Sequence, residues 1–329
     1  MNFQARLGRV SQSAVFEEEG YYVWCSSLVK HGDTYYLFYS RWRKEYGFDA
    51  WVTRSEIALA SSKDLFGKFQ FEKVLLSASD ADAWDRDCFH NPTVLFWQGK
   101  YYLYYMGNYG DGSFWSHRNH QRIGVAVADH PAGEWKRQKT PLVDISEEGF
   151  DCLMTSNPSG CALPDGRFAM IYKGVGMENP LPKGGPVVCG MAFADHPAGP
   201  FIKTGMPVMQ NPDHPWSVED PFLFCEDGRL YAIVKDFQGY FTGTGSTSLA
   251  LFEATEDMDF VPCKDPLAMT LRLPTEWGDI PVKKLERPQI YFENGEPSAL
   301  LLAVMPLEGD HSYAVRIPFL KSKRNQEKL

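Results

Sequence analysis

Two carboxylates stand side by side at Glu219 and Asp220, just before Pro221 and an apolar run, Phe222 to Cys225, that closes at an Asp227-Gly228 turn. Further along, Glu286-Arg287-Pro288 opens a similar run ending at Gly295. Carboxyl groups gathered at one place can do acid/base work. One keeps a proton to give to a leaving oxygen, and another stays ionised to activate water or to stabilise positive charge at an anomeric carbon. Crowding raises one carboxyl pKa and a neighbouring guanidinium lowers another, so the Glu219/Asp220 pair and Arg287 beside Glu286 would separate the two roles. Glu219 is the expected acid, with Glu286 or Asp220 as its partner. The plainer readings are a turn carboxylate capping backbone amides, and a structural ion pair at Glu286 and Arg287.

The elements that must position these groups repeat. A polar-polar-Pro triplet precedes each apolar run at His90-Asn91-Pro92, Ser156-Asn157-Pro158, Glu219-Asp220-Pro221 and Glu286-Arg287-Pro288, with turn glycines at Gly99, Gly166, Gly228 and Gly295. Asn91, Asn157, Asp220 and Arg287 are 66, 63 and 67 residues apart, and a first copy carries Trp24-Cys25 where the triplet belongs. A hairpin, Leu28 to Tyr39, turns at His31-Gly32-Asp33. Third strands of small residues recur at Ile57–Asp64, Ile123–Pro131, Cys189–Pro197 and Leu249–Asp257, each followed by an aromatic: Phe69, Trp135, Phe201 or Phe260. A period above 60 residues filled with strands is the mark of radially arranged all-β modules. The expectation is one domain over residues 1–320, a five-bladed β-propeller of four-stranded antiparallel blades, with units of about 20–80, 81–145, 146–210, 211–275 and 276–320. The fifth copy, His311 to Ile317, stops early, so Phe3 to Phe16 is expected to supply its outer strand; Lys321 to Leu329 reads as a charged, frayed tail.

In such a ring the innermost strands begin near the axis, and their first residues converge on one cavity: Glu219, Asp220, Glu286, Arg287, His90, Asn91 and Asn157. Second-strand ends add Arg41, Asn108, Lys173, Lys235 and Asp236, and Asp87 and Asp151 lie a few residues before triplets as candidate bases. Trp24, Trp42, Trp51, Trp115 and Trp216 are candidates to stack on a sugar face, although Trp in β proteins more often simply packs. Insertions at Arg41–Glu56, Asn108–Gln121, Gly174–Pro186 and Gln238–Ser246 would wall the cavity.

The polar-polar-Pro strand starts, the Gly-turn-Tyr-Tyr hairpins and the third strands ending in Ser-Lys-Asp or Ala-Asp-His-Pro resemble the five-bladed β-propeller glycoside hydrolases, the related families 43, 62, 32, 68, 117 and 130. The resemblance spans about residues 20–318. It implies that Glu219-Asp220-Pro221 matches the Glu-Gly-Pro that holds the family 43 general acid. Glu286-Arg287-Pro288 looks like the Glu-Arg-Pro of family 117. The chain departs from both patterns: Trp24-Cys25 and Asn157-Pro158 stand where family 43 has its Asp base and its Asp-Pro, and Leu285 stands where family 117 has a His. The implied activity is an exo-acting glycosidase on a short oligosaccharide. A phosphorylase that lets phosphate attack, or a sugar-binding propeller without turnover, would also account for the missing base.

Composition narrows the partners. The formal charge is −9, from 33 basic and 42 acidic residues, which argues against nucleic acid or an anionic membrane. No stretch approaches a membrane span, and the start of the chain lacks the apolar run of a signal peptide, so a cytoplasmic protein is expected. Seven scattered cysteines do not make a disulfide framework. No metal-ligand cluster, phosphate loop or dinucleotide fingerprint is present, so neither metal nor cofactor is expected; His130-Pro131 and His196-Pro197 read as turn residues, and self-association is left open. Arg41, Lys173, Lys235 and Arg287 against Glu219, Asp220, Glu286 and Asp236 make a balanced set, which points to a neutral sugar.

Overall fold

The computed structural model describes residues 2–79 and 82–320; the tail from Lys321 onward lies outside them. A short β1 (Val15–Phe16) precedes five sheets around an axis. The first holds β2 (Tyr21–His31), β3 (Thr34–Arg43), β4 (Glu56–Ser62) and β5 (Gln70–Leu76). The second holds β6 (Cys88–Trp97), β7 (Lys100–Asn108), β8 (Arg122–Ala128) and β9 (Lys136–Arg137). β10 (Met154–Ala162), β11 (Phe168–Val175), β12 (Val187–Ala194) and β13 (Ile202–Met209) make the third, and β14 (Val218–Glu226), β15 (Arg229–Asp236), β16 (Ser248–Ala254) and β17 (Phe260–Thr270) the fourth. In the fifth, β18 (Arg272–Thr275) pairs with the start of the long β19 (Gly278–Glu293), which continues into β20 (Glu296–Pro306) and β21 (Tyr313–Pro318). Innermost strands touch in cyclic order, β2 to β6, β10, β14, β19 and back to β2. The chain is an all-β, five-bladed propeller.

The sequence dictates this arrangement in three ways. Turn glycines Gly32, Gly99, Gly166, Gly228 and Gly295 all have positive φ, between 60° and 89°, as tight hairpins require. Second strands are apolar on both faces because blades press on each. Third strands are small where an aromatic of the same repeat unit lies over them: a Cβ at Gly124 would sit 2.5 Å from the Tyr105 ring, and one at Gly190 2.4 Å from Phe150. The five largest hydrophobic clusters accordingly lie one per seam between blades, with two smaller ones around Trp42 and Met154. Trp135 shows the rule, packing edge-on against Phe38 of the preceding blade at 5.5 Å.

Closure uses the N-terminal segment. β1 pairs antiparallel with β21, Val15 opposite Val315, so the outer strand of the last blade comes from the start of the chain. Arg316, fully buried, donates to the carbonyls of Ser13, Leu65 and Gly67, tying that strand to the first blade. The hairpin of β18 with the start of β19 is an extension that the repeat does not foreshadow. The His-Pro turns are structural: His130 Nδ1 accepts the Ala132 N–H and His196 Nδ1 the Ala198 N–H, both at 3.0 Å.

Candidate active site

Every innermost strand breaks register at the same place, between Trp24/Ser27, His90/Thr93, Ser156/Ser159, Glu219/Phe222 and Glu286/Gln289. The residue after the break point is left-handed in all five: Cys25 (φ 49°), Asn91 (57°), Asn157 (53°), Asp220 (56°) and Arg287 (55°). These are β-bulges, which re-aim side chains at the cost of local pairing, and the Pro that follows in four of them needs no ladder hydrogen bond there. Asn and Asp tolerate the left-handed region; Cys and Arg are held in it against a cost of roughly 1–2 kcal/mol.

The five bulge residues meet on the axis in a ring of hydrogen bonds. The Cys25 thiol donates to Asn91 Oδ1 at 2.8 Å, the Asn91 amide to Asn157 Oδ1 at 2.6 Å, and the Asn157 amide to Asp220 Oδ1 at 2.6 Å. Arg287 donates to Asp220 at 3.4 Å and lies beside the Cys25 thiol. This ring floors a cavity of about 130 Å³. Its polar walls are His90, Lys173, Glu219, Lys235, Lys284 and Glu286, and its aromatic wall is Trp24, Trp42, Phe48 and Trp51. A larger, more apolar recess of about 460 Å³ is lined by later residues of the same strands and opens beyond the ring.

Lys235 is the hub of the electrostatics. Its Nζ lies 2.9 Å from Glu219 and 2.7 Å from Glu286, while Lys173 approaches Glu219 at 3.4 Å and Lys284 approaches Glu286 at 3.8 Å. Burial pushes the Glu219 pKa up, but Lys235 and Lys173 outweigh it and hold the carboxyl down at about 2. Asp220 goes the other way: burial and the Glu219 charge raise it to about 6, against the pull of Arg287. The lysine hub itself stays protonated, because Glu219 and Glu286 overcome its burial. His90, depressed by burial and by Arg287 and Lys173, is a neutral imidazole held by Ser55 at 2.8 Å, and burial keeps Cys25 a thiol. Two adjacent carboxyls thus have well-separated proton affinities, as expected. The order is reversed, with Glu219 the ionised member and Asp220 the one that keeps a proton longer.

Of the residues expected at the cavity, Glu219, Asp220, Glu286, Arg287, His90, Asn91, Asn157, Lys173, Lys235 and Trp24 line it. Six others do not. Ser40 faces Trp24 and Lys235 faces Glu219 across the strands, so Arg41 and Asp236, one residue later, point to the opposite face. Arg41 is stacked on Tyr21 and Phe71 and paired with Glu18 and Glu56. Asp236 accepts the N–H groups of Tyr240, Phe241 and Thr242 and folds that loop. Asn108 donates to the Val52 carbonyl at 2.9 Å and bonds His117. Trp115 sits in the helix α1 (Phe114–Asn119) with Arg118 over its ring. Asp87 accepts the Gly110 N–H at 3.0 Å on the insertion. Asp151 is buried under the blade, held by the Tyr172 hydroxyl at 2.8 Å and Lys203 at 2.7 Å. The previous blade repeats that arrangement with Asp85, Tyr105 and Arg137, so these upstream acids recur as blade staples.

Lys284 and Phe48 are the lining residues that sequence reasoning missed. Lys284 carried a signal, since it stands two residues before Glu286 and shares its strand face. Of the four insertions only the first, through Trp42, Phe48 and Trp51, reaches the cavity wall. With Arg41 and Asp236 outside and Lys284 inside, the lining charges are four cations and three carboxylates. The balance that pointed to a neutral sugar does not hold. Among the described residues no cluster of metal-ligating side chains occurs, and no helix is long and apolar enough to cross a membrane.

Comparison with known proteins agrees with this architecture. The family model described as glycosyl hydrolases family 43 matches residues 26–162. Among solved structures, a family 117 glycoside hydrolase from the marine bacterium Zobellia galactanivorans superposes with a TM-score of 0.65 at 19% identity, covering 95% of this chain and 89% of the other. The arabinanase Arb43A of Bacillus subtilis gives 0.64 at 16% identity, covering 94% and 97%. An exo-1,5-α-L-arabinanase from a bovine ruminal metagenomic library gives 0.62 at 13% identity, covering 92% and 94%. No curated protein sequence matches the chain. At these identities the neighbours carry the fold alone. The fold is that of the five-bladed β-propellers among these glycoside hydrolases, and the family match covers the first two blades and the start of the third.

Proposed function

We propose that the axial cavity is the active site of an exo-acting glycosidase that removes the terminal sugar of a short oligosaccharide. The observation that carries this reading is the cavity itself. It is floored by the bulge ring, flanked by Glu219, Asp220 and Glu286, and walled on one side by aromatic rings. Its volume of about 130 Å³ is well below the roughly 300 Å³ at which ligand pockets usually begin, so it takes one sugar unit and leaves the rest of the chain outside. An aromatic wall suits a sugar's apolar face, and charged walls suit its hydroxyls.

Within this reading Asp220 supplies the proton to the leaving oxygen, since its surroundings let it keep one up to a pH of about 6. Glu219, held ionised by its two lysines, stabilises positive charge at the anomeric carbon or orients the attacking water, with Glu286 across Lys235 as its partner. Asp220→Asn preserves shape and the left-handed backbone while removing the proton. It should slow turnover by roughly 10²- to 10⁴-fold on a substrate with a poor leaving group and far less on an activated aryl glycoside. Equal losses on both substrates would take the acid role away from Asp220.

A further inference from the structure

The cavity carries more positive charge than its chemistry uses. Lys173, Lys235, Lys284 and Arg287 line it against Glu219, Asp220 and Glu286, one net positive charge with all three carboxylates ionised and two while Asp220 holds its proton, in a chain whose formal charge is −9. Arg118, buried nearby and bonded only to neutral oxygens, adds to the field felt by Glu219. The cations also differ in how far they are occupied. Lys235 makes two short contacts to carboxylates, and Lys173 makes one long one. Lys284 has only a 3.8 Å approach to Glu286, beyond hydrogen-bond length. Its ammonium lies 5.0 Å over the Phe48 ring, which also lines the cavity, and its side chain is 36% exposed. Arg287, on the ring that floors the cavity, has a buried Nε with no hydrogen-bond partner among the described residues. A cationic donor without a close acceptor at the wall of the cavity, Lys284, is what an anionic ligand would satisfy.

We infer that the sugar held here bears one negative charge, a carboxylate or an O-sulfate, with Lys284 as its anchor at the cavity wall. The inference rests on the cavity being the sugar site of a glycosidase, and it names the class of sugar. A carboxylate adds least bulk and one negative charge to a lining whose net charge is positive.

The test is titration calorimetry of the full chain with a panel of hexuronic acids, their neutral parent hexoses, the 6-O-sulfated hexoses and free sulfate, together with cleavage of matched aryl uronides and neutral aryl glycosides. The expected result is that a uronate or a sulfated sugar binds at least tenfold more tightly than its neutral parent, and that Lys284→Gln cuts this preference by roughly tenfold. The uronate and sulfate arms separate the two sources of charge. Equal or tighter binding of the neutral parents, a preference untouched by Lys284→Gln, or free sulfate binding as well as any sugar would each overturn the inference. Cleavage confined to neutral glycosides would overturn it and leave the glycosidase reading standing. Anion-selective binding without cleavage of any glycoside would support it and count against the glycosidase.

Discussion

Lys235 is shared between Glu219 and Glu286 and, with Lys173, holds the Glu219 carboxyl below its ordinary pKa. A group held near pKa 2 is a poor proton donor at neutral pH, so Glu219→Gln should lower turnover on activated and unactivated glycosides to a similar extent, of the order of 10²-fold or more. A loss confined to poor leaving groups would return the acid role to Glu219. That role was the one its position in the repeat pointed to, and the groups that lower its pKa lie far away in sequence: Lys173 and Lys235 come from second strands of two blades. The repeat made the converging residues legible, since a triplet at each strand start maps onto a bulge in each blade. It could not resolve second-strand ends, where a shift of one residue moves a side chain to the other face. Arg41 and Asp236 were lost in that way, and Lys284 was overlooked although its spacing from Glu286 was readable.

At the level of elements, the bulge ring and the β1 closure hold the site in place. Asn157 both donates to Asp220 and accepts from Asn91, in a backbone conformation that alanine disfavours. Asn157→Ala should therefore destabilise the fold by about 2–4 kcal/mol in denaturant melts, and Asn157→Gly by less, since glycine relieves the backbone part. Equal effects would mean that the left-handed backbone contributes nothing. Closure is tested at Phe16, buried and packed edge-on against Tyr39 at 4.8 Å. Phe16→Ala should cost about 3 kcal/mol although it lies in a two-residue strand; an unchanged melt would show that β1 does not close the ring. The closing strand was legible from the early stop of the fifth copy. The β18 hairpin and the short helices of the first insertion were not, because neither repeats and neither has a strong periodic pattern.

For the whole molecule, the two carboxyls give opposite dependences of stability on pH. Glu219 is depressed from its ordinary 4.5 to about 2, so its stabilisation is present above about 4.5 and lost as the pH falls towards 2. Asp220 is raised from 3.8 to about 6, so its ionisation penalises the fold above about 6, and the penalty disappears as the pH falls towards 4. The difference in unfolding free energy between wild type and Asp220→Asn should then grow in favour of wild type as the pH falls from 7 to 5. A difference that stays flat across that range would mean that Asp220 titrates as an ordinary carboxylate. The global architecture, five seams around a charged axial cavity, was the most legible part of the sequence, because it depends on a period and not on any single side chain. The proposed hydrolysis of terminal glycosidic bonds in this cavity is tested most directly by chromatography of the products from a panel of neutral and acidic short oligosaccharides, incubated with the chain in phosphate-free buffer. Free single sugars should be released from chain ends, and release should be abolished by Glu219→Gln and by Glu286→Gln. Release only when phosphate is added, mid-chain fragments, or release that survives both substitutions would contradict it.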